Sequence, residues 1–383
     1  MDILHYIRVG GAKVIQIISR VFPIDNHVVV FYAHKRKGLC CNPKYIMLEM
    51  IKRPEKYKLY WISEYPETVP KSDDYKVVRK RSAQYYLICS RAKMHITNDI
   101  VDETLLKRKG QIYINTWHGG GAFKKAGFDI VKHKEEEKQL HIWYDKVDYM
   151  IVSSTYLADK FQSAFQLTEG QILKTGMPRS DIFFQDNTLY EAIRKQYGLD
   201  EGVKIVLYAP TYRYHTYELL KEDEIKCVLD ALHERFGGEW VFFFRAHSFD
   251  KEEHYQFKDK KLYDCNDYYD AQELLCAVDV LITDYSSLLW DCSLLKKPCI
   301  CYAKTPKKYA NQERDFYIPY EEWPYPKSTD IKELVEVIRR FAEEKYSDKV
   351  AEFLEKLNGY EKGCSTQIVV DRIERLLGNG ERE

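Results

Sequence analysis

Short apolar runs, each followed by an amphipathic stretch, recur along this chain and dictate its architecture. Val28–Ala33, Lys58–Ser63, Met94–Asn98, Gln111–Trp117 and Tyr149–Ser154 are rich in β-branched and aromatic residues. They read as buried strands of a parallel sheet, whose strands are apolar throughout because both faces are covered. Pro43–Ile51 and Ser82–Ser90 read as intervening helices. The rhythm breaks at Ile172–Asp181, where Gly176 and Pro178 predict a loop near a domain boundary. It resumes with strands at Lys204–Thr211, Trp240–His247, Val280–Asp284 and Pro298–Tyr302, and a short helix at Asp270–Val278. After Asp330 the chain reads as helical, with apolar stripes at Ile331, Leu334, Val335 and Ile338, and at Val369, Val370, Ile373 and Leu376. Strand–helix alternation met twice predicts two α/β domains. A chain of 383 residues accommodates both at the usual size of about 150 residues each. The cleft between two such domains is where a ligand is expected.

Composition excludes several classes. Lys plus Arg and Asp plus Glu number 59 each, so the basic excess of a general nucleic-acid binder is missing. With 45% hydrophobic and 31% charged residues the chain is not disordered. No apolar run reaches the ~18 residues of a transmembrane helix, and no signal peptide is visible. The ten cysteines form no CxxC pair and no His/Cys cluster at zinc spacing, which predicts reduced, mostly buried thiols of a cytosolic protein. Residues 1–24 form a separate case. Ile3, Leu4, Ile7, Val14, Ile15, Ile18, Val21 and Phe22 recur at helical spacing among Arg8, Lys13 and Arg20, while Gly10 and Gly11 interrupt them. Two readings stand: a helix packed on the first domain, or a basic amphipathic helix that touches a membrane surface.

Chemistry-bearing residues gather at the carboxyl ends of the strands. Asn115-Thr116-Trp117-His118 runs into Gly119, Gly120 and Gly121 and then Lys124. Glycines let backbone approach a ligand closely, and a His at a strand's carboxyl end faces the ligand crevice of an open α/β sheet. Thr283-Asp284-Tyr285-Ser286-Ser287 leads from a buried strand into a helix, whose N-terminus with Ser286 and Ser287 suits a phosphate or a simple cap. Thr211 and Arg213 follow a third strand, and Arg245 and His247 a fourth. An Arg offers a fork for phosphate oxygens, although a lone Arg or His is most often a surface residue. There is no GxxxxGK[ST], no GxGxxG after the first strand, and no Asp-x-Asp or His-Glu-x-x-His for a catalytic metal. The readings are therefore no metal and no cofactor.

Taken in order, Asn42-Pro43-Lys44-Tyr45, Trp117-His118-Gly119, Gly176-Met177-Pro178-Arg179-Ser180-Asp181, Ala209-Pro210-Thr211-Tyr212-Arg213 and Thr283-Asp284-Tyr285-Ser286-Ser287 resemble the motifs of the CDP-glycerol glycerophosphotransferase family of teichoic-acid and capsule assembly. The likeness covers about residues 25 to 325. It implies a GT-B fold: two Rossmann-like domains facing across a cleft, with the C-terminal helix crossing back to the first. The corresponding boundaries are 1–24 for the N-terminal helix, 25–182 for an acceptor domain, 183–362 for a CDP-donor domain and 363–383 for the returning helix. The family pattern His-Gly-Thr-Pro before a lysine is replaced here by His118-Gly119-Gly120-Gly121-Ala122-Phe123-Lys124, one residue longer.

The resemblance further implies transfer of glycerol phosphate from CDP-glycerol to a lipid-linked saccharide or growing polyol-phosphate acceptor. CMP is released at the cytoplasmic face of the membrane, with the enzyme peripheral. CDP-ribitol is the alternative donor. A GT-B glycosyltransferase using a nucleotide sugar and an inactive docking protein are the alternative functions. On this reading His118 is the base and His247 and Arg213 neutralise the transferring phosphoryl group. Thr211, Arg245, Asp284, Ser286 and Ser287 complete the donor site, and the length of one catalytic unit favours transfer of one or few units.

Overall fold

The structure, a computed structural model, describes residues 3–33, 37–185, 188–211, 219–246 and 257–378. The chain divides into two compact units. One comprises Met1–His118, Gly127–Asp181 and Tyr360–Glu383, the other Gly119–Ala126 and Ile182–Gly359.

The first unit is built on seven parallel strands: β1 (Asp25–Tyr32), β2 (Lys58–Ser63), β3 (Tyr75–Arg79), β4 (Ala92–Thr97), β5 (Ile112–Asn115), β6 (Tyr149–Val152) and β7 (Ile172–Lys174). Their order is β3-β2-β1-β4-β5-β6-β7. The central strand β1 is buried over Val28–Phe31 and pairs Val30 with Tyr60 on one side and His95 on the other. Val28, Val30, Ile62 and Val78 pack with Tyr85, Tyr86 and Cys89 of the helix Ala83–Arg91, whose first turn is capped by Ser82. The second unit repeats the plan with β8 (Lys204–Tyr208), β9 (Trp240–Phe244), β10 (Leu262–Asp264), β11 (Val280–Thr283), β12 (Cys299–Tyr302) and β13 (Lys327–Ser328). The order β10-β9-β8-β11-β12-β13 is again doubly wound. In such sheets the strand order reverses at one place, here between β1 and β4 and between β8 and β11, and loops at the carboxyl ends there form the ligand crevice.

The sequence expectation of two α/β units is met, with differences at the sheet edges. Ile172–Lys174, expected within a loop, is the edge strand β7. The strands β3, β10 and β13, which the sequence pattern does not signal, also lie toward the edges, where strands are short and less apolar. The glycine loop Gly119–Ala126, expected in the first domain, packs with the second unit.

The segment Gly176–Asp181 organises the return of the chain to the first unit. Gly176 takes a φ of +79°, and a Cβ there would lie 2.5 Å from Ser365 Oγ. The Asp181 carboxylate accepts hydrogen bonds from the amides of Ser365 at 2.9 Å and Thr366 at 2.6 Å, the first residues of the helix Ser365–Gly378. That helix buries Val369, Val370, Ile373 and Leu377; Leu377 rather than Leu376 completes the stripe. Its Asp371 pairs with Arg53 at 2.8 Å.

The N-terminal helix Ile3–Ser19 packs on the first unit. Among its described side chains Ala12, Gln16 and Ser19 are buried, and Ile15 packs against the core. The Gln16 amide donates to Thr104 O at 2.8 Å and accepts from Leu106 N at 2.8 Å, and Ser19 Oγ meets Ser90 Oγ. Val14, Ile17, Ile18 and Val21 are each more than half exposed. The helix thus packs through Ala12, Ile15, Gln16 and Ser19 and turns other large apolar side chains to solvent. No helix among the described residues is long and apolar enough to cross a membrane.

Asp181→Ala removes the acceptor for two amides at a helix start. The expected loss is about 1–2 kcal/mol, the range for a lost helix cap, read as a lower urea midpoint with an unchanged slope.

Candidate active site

Three distant motifs converge on His118 within the first unit. Past β5 the chain holds Trp117 at a φ of +53°, a costly conformation for a bulky side chain. The surroundings enforce it. Trp117 N donates to Asn115 Oδ1 at 2.8 Å, and the indole packs edge-on against Phe161 and Phe165, each 5.2 Å away. The buried Asn42 amide donates to Thr116 O at 2.9 Å and Trp117 O at 3.1 Å and accepts from Arg179 N at 3.0 Å. Arg179 in turn donates to His118 O at 2.8 Å.

The result is a defined imidazole. His118 is half-buried, stacks on Trp117 with centroids 4.7 Å apart, and has Nδ1 2.7 Å from Asn98 O. A carbonyl only accepts, so Nδ1 carries the hydrogen and the lone pair resides on Nε2. Asn98 follows β4, at the point where the strand order of the first sheet reverses.

In the second unit the corresponding point lies between Thr211, after β8, and Asp284, after β11. Asp284 Oδ1 accepts from Thr211 N at 2.8 Å and from Tyr285 N at 2.6 Å, and Thr283 Oγ1 donates to Ala209 O at 2.6 Å. These bonds tie the two strand ends together. Thr211 is buried, and among the described residues its hydroxyl has no partner. Ser286 and Ser287 are half-buried at the start of the helix Leu288–Leu294, and Ser286 Oγ accepts from Leu288 N at 3.2 Å. Neither the N-cap Ser287 side chain nor a long helix supplies the capping, since this helix has only seven residues. Hydroxyls and local amides, rather than a long helix dipole, are what this turn offers an anion.

The loop Gly119–Ala126 joins the same unit. Phe123 anchors it among Trp323, Tyr325 and Phe353, with centroids 4.6, 6.3 and 5.9 Å away. Gly121 and Ala122 are both left-handed. A Cβ on Gly120 would come within 2.1 Å of the fully buried Trp290 indole, so the backbone passes where only glycine fits. A short antiparallel ladder fixes the far end. Tyr317 N donates to Phe123 O at 3.0 Å, Lys125 N to Asp315 O at 2.9 Å, and Arg314 Nε to Lys125 O. Lys124 faces Arg314 and Asp284. Burial, then the Arg314 charge, lowers its ammonium pKa to about 7, with Asp284 pulling the other way.

Among the expected donor residues, Arg245 follows β9. Its guanidinium donates to Cys265 O at 3.3 Å, to Tyr269 O at 3.2 Å and to Tyr268 O, which makes it a brace for the loop after β10. Arg213 and His247 lie outside the described residues. The structure brings together Thr211, Asp284 and Lys124 in the second unit and sets His118 on its own support in the first. Asn98 and Arg314 had no signal at the sequence level; Asn42 and Arg179 stood in recognised motifs, without an assigned task.

Comparison with known proteins agrees with this architecture. The family model for CDP-glycerol:poly(glycerophosphate) glycerophosphotransferase matches residues 14–375, and the chain belongs to that family. A teichoic acid poly(glycerol phosphate) polymerase of Bacillus spizizenii is 28% identical over 96% of both chains. A teichoic acid ribitol-phosphate primase of the same species is 32% identical over 72% of each. The chain spans 50% of the length of a Staphylococcus epidermidis poly(glycerol phosphate) polymerase to which it is 29% identical. The wall teichoic acid polymerase TagF has a similar structure, with a TM-score of 0.83 at 26% identity over 98% of this chain and 95% of that one. A UDP-GlcNAc 2-epimerase from Neisseria meningitidis shares the fold alone, with a TM-score of 0.56 at 12% identity.

Gly120→Ala forces a methyl group into Trp290, which has no room to withdraw. An overpacking cost of about 1–3 kcal/mol is expected, visible as lower thermal stability and altered tryptophan fluorescence.

Proposed function

We propose that the chain transfers glycerol phosphate from CDP-glycerol to a hydroxyl of a lipid-linked saccharide or polyol-phosphate acceptor in teichoic-acid or capsular polymer synthesis. The observation that carries this reading is the His118 tautomer, held by Asn98 O with the lone pair on Nε2. Nε2 takes the proton of the attacking hydroxyl, the acceptor oxygen bonds to the β-phosphorus, and the bond to the bridging oxygen breaks as CMP leaves. Thr211, Asp284, Ser286 and Ser287 form the donor side. His247 and Arg213 are the sequence-based assignments for neutralising the transferring group. Support for the donor comes from the family's description and from TagF, one structure of which was soaked with CDPG. The ribitol-phosphate primase among the relatives keeps CDP-ribitol as the second reading.

Donor screening decides between them. Purified protein with an acceptor is expected to release CMP from CDP-glycerol, with CDP-ribitol slower and UDP-sugars inert. Release of UDP from a UDP-sugar instead would replace this reading with glycosyl transfer. His118→Ala is expected to lower kcat by ~10²-fold or more, the usual scale for a lost general base, while calorimetry still shows nucleotide binding.

The same reading places the enzyme on the cytoplasmic membrane surface. Val14, Ile17, Ile18 and Val21 are exposed beside Lys13 and Arg20 on the N-terminal helix, a combination suited to the interface of an anionic bilayer. The protein is expected to co-sediment with anionic vesicles at low salt and less so at high salt, because exposed charges are screened over ~8–10 Å. Ile17→Glu with Ile18→Glu is expected to abolish binding without loss of thermal stability. No sedimentation of the parent protein at low salt would remove the membrane assignment.

A further inference from the structure

We propose that Lys124 and Arg314 are pyrophosphate-binding residues of the donor site. The proposal rests on the reading of the second unit as the CDP-glycerol site and extends it to two cations that it does not otherwise employ. They arrive from different parts of the chain, one on the glycine loop and one on the segment 314–317, and the ladder between these segments holds them together. The Lys124↔Phe316 bridge and the bonds on either side of it fix the backbone of both segments. Phe123 and the Gly120–Trp290 contact fix the loop from its other end.

The placement is informative because the segment 314–317 packs on the donor turn, with the Phe316 and Tyr285 ring centroids 5.6 Å apart, and the charged neighbours of Lys124 are one cation, Arg314, and one carboxylate, Asp284. Asp284 has already committed Oδ1 to two backbone amides. Among the described residues no carboxylate closes an ion pair with Lys124, whereas its neighbour Lys125 is paired with Asp315 at 2.6 Å. Successive side chains in a ladder alternate sides, so the Lys125–Asp315 pair points away from Lys124. The buried Thr211 hydroxyl without a partner lies next to the Asp284 carboxylate through the Thr211 N bond. A hydroxyl donor, a lysine and an arginine around a strand-end turn are the groups that a dianionic pyrophosphate engages.

Proton linkage follows. The charged groups facing Lys124 are Arg314 and Asp284, and its amine titrates at about 7. The nearby thiol of Cys301 is pushed up to about 12 by burial, and burial also raises the Tyr320 phenol, so neither exchanges protons near neutrality. At pH 8 Lys124 is therefore mostly neutral in the free protein. A pyrophosphate beside it favours the ammonium, so binding draws a proton from solvent. At pH 6 the amine is already charged and no uptake is due. Affinity for CDP-glycerol should fall as pH rises through 7 to 8.5, and this diester of pyrophosphoric acid has no ionisation of its own in that range.

Calorimetry of CDP-glycerol without acceptor, in buffers of differing ionisation enthalpy, tests this. The parent protein is expected to take up about one proton per ligand at pH 8 and almost none at pH 6. Lys124→Met is expected to bind roughly ten- to a hundredfold more weakly at pH 6, the scale of a lost charge-assisted hydrogen bond. Lys124→Arg, which stays charged throughout, is expected to bind with no uptake from this position and a flatter pH profile. Arg314→Gln is expected to weaken binding and raise the pH at which uptake fades. Unchanged affinity in Lys124→Met, or equal proton uptake in the parent and Lys124→Arg, overturns the proposal and leaves the donor assignment standing. Failure of the parent protein to bind CDP-glycerol overturns the donor assignment itself.

Discussion

The side-chain amide of Asn42 joins three loops that are far apart in the sequence. Its NH2 group holds the carbonyls of Thr116 and Trp117, and its oxygen holds the amide of Arg179. A buried backbone group left without a hydrogen bond costs about 1–3 kcal/mol. The strained Trp117 persists because this amide and the packing of Phe161 and Phe165 together outweigh its conformational cost. His118 inherits its direction from that arrangement. Arg179 completes the circuit by holding the carbonyl of His118 itself.

The two units solve the same problem with opposite chemistry. At the strand-order reversal of the first sheet, a backbone carbonyl, Asn98 O, orients an imidazole. At that of the second, a carboxylate, Asp284, gathers backbone amides. The first arrangement fixes the hydrogen of the imidazole on Nδ1, and the second concentrates hydrogen-bond donors at a strand-end turn. Arg245, at the carboxyl end of β9, braces the loop of residues 265–269 with three of its five N–H groups.

Much of this was legible before any coordinates. The central strands β1, β2, β4, β5, β6, β8, β9, β11 and β12 are buried on both faces, so their sequences are continuous apolar runs. The edge strands β3, β7, β10 and β13 were not legible because partial exposure and a length of two to five residues leave no periodicity to read. His118 and Asp284 were visible because each follows such a run. Arg314 was not, since its position depends on a ladder between residues about 190 apart, and nothing local marks it. The N-terminal helix was legible only in part: spacing identified Ile15, which packs on the core, but not the buried Ala12, Gln16 and Ser19, of which Gln16 and Ser19 hydrogen-bond within the first unit.

The division of the chain has a bearing on how the molecule is made. Gly119–Ala126 interrupts the first unit in favour of the second, and Tyr360–Glu383 returns to the first after the second is complete. Neither unit is a contiguous stretch of polypeptide. Synthesised from the N-terminus, the first unit emerges with the Asp181 carboxylate and the groove over Val369 and Val370 still waiting for residues that follow the second unit. Folding of the earlier unit is thereby finished only by a later segment, and a ribosome that stalls between the two leaves that unit without the helix that completes it.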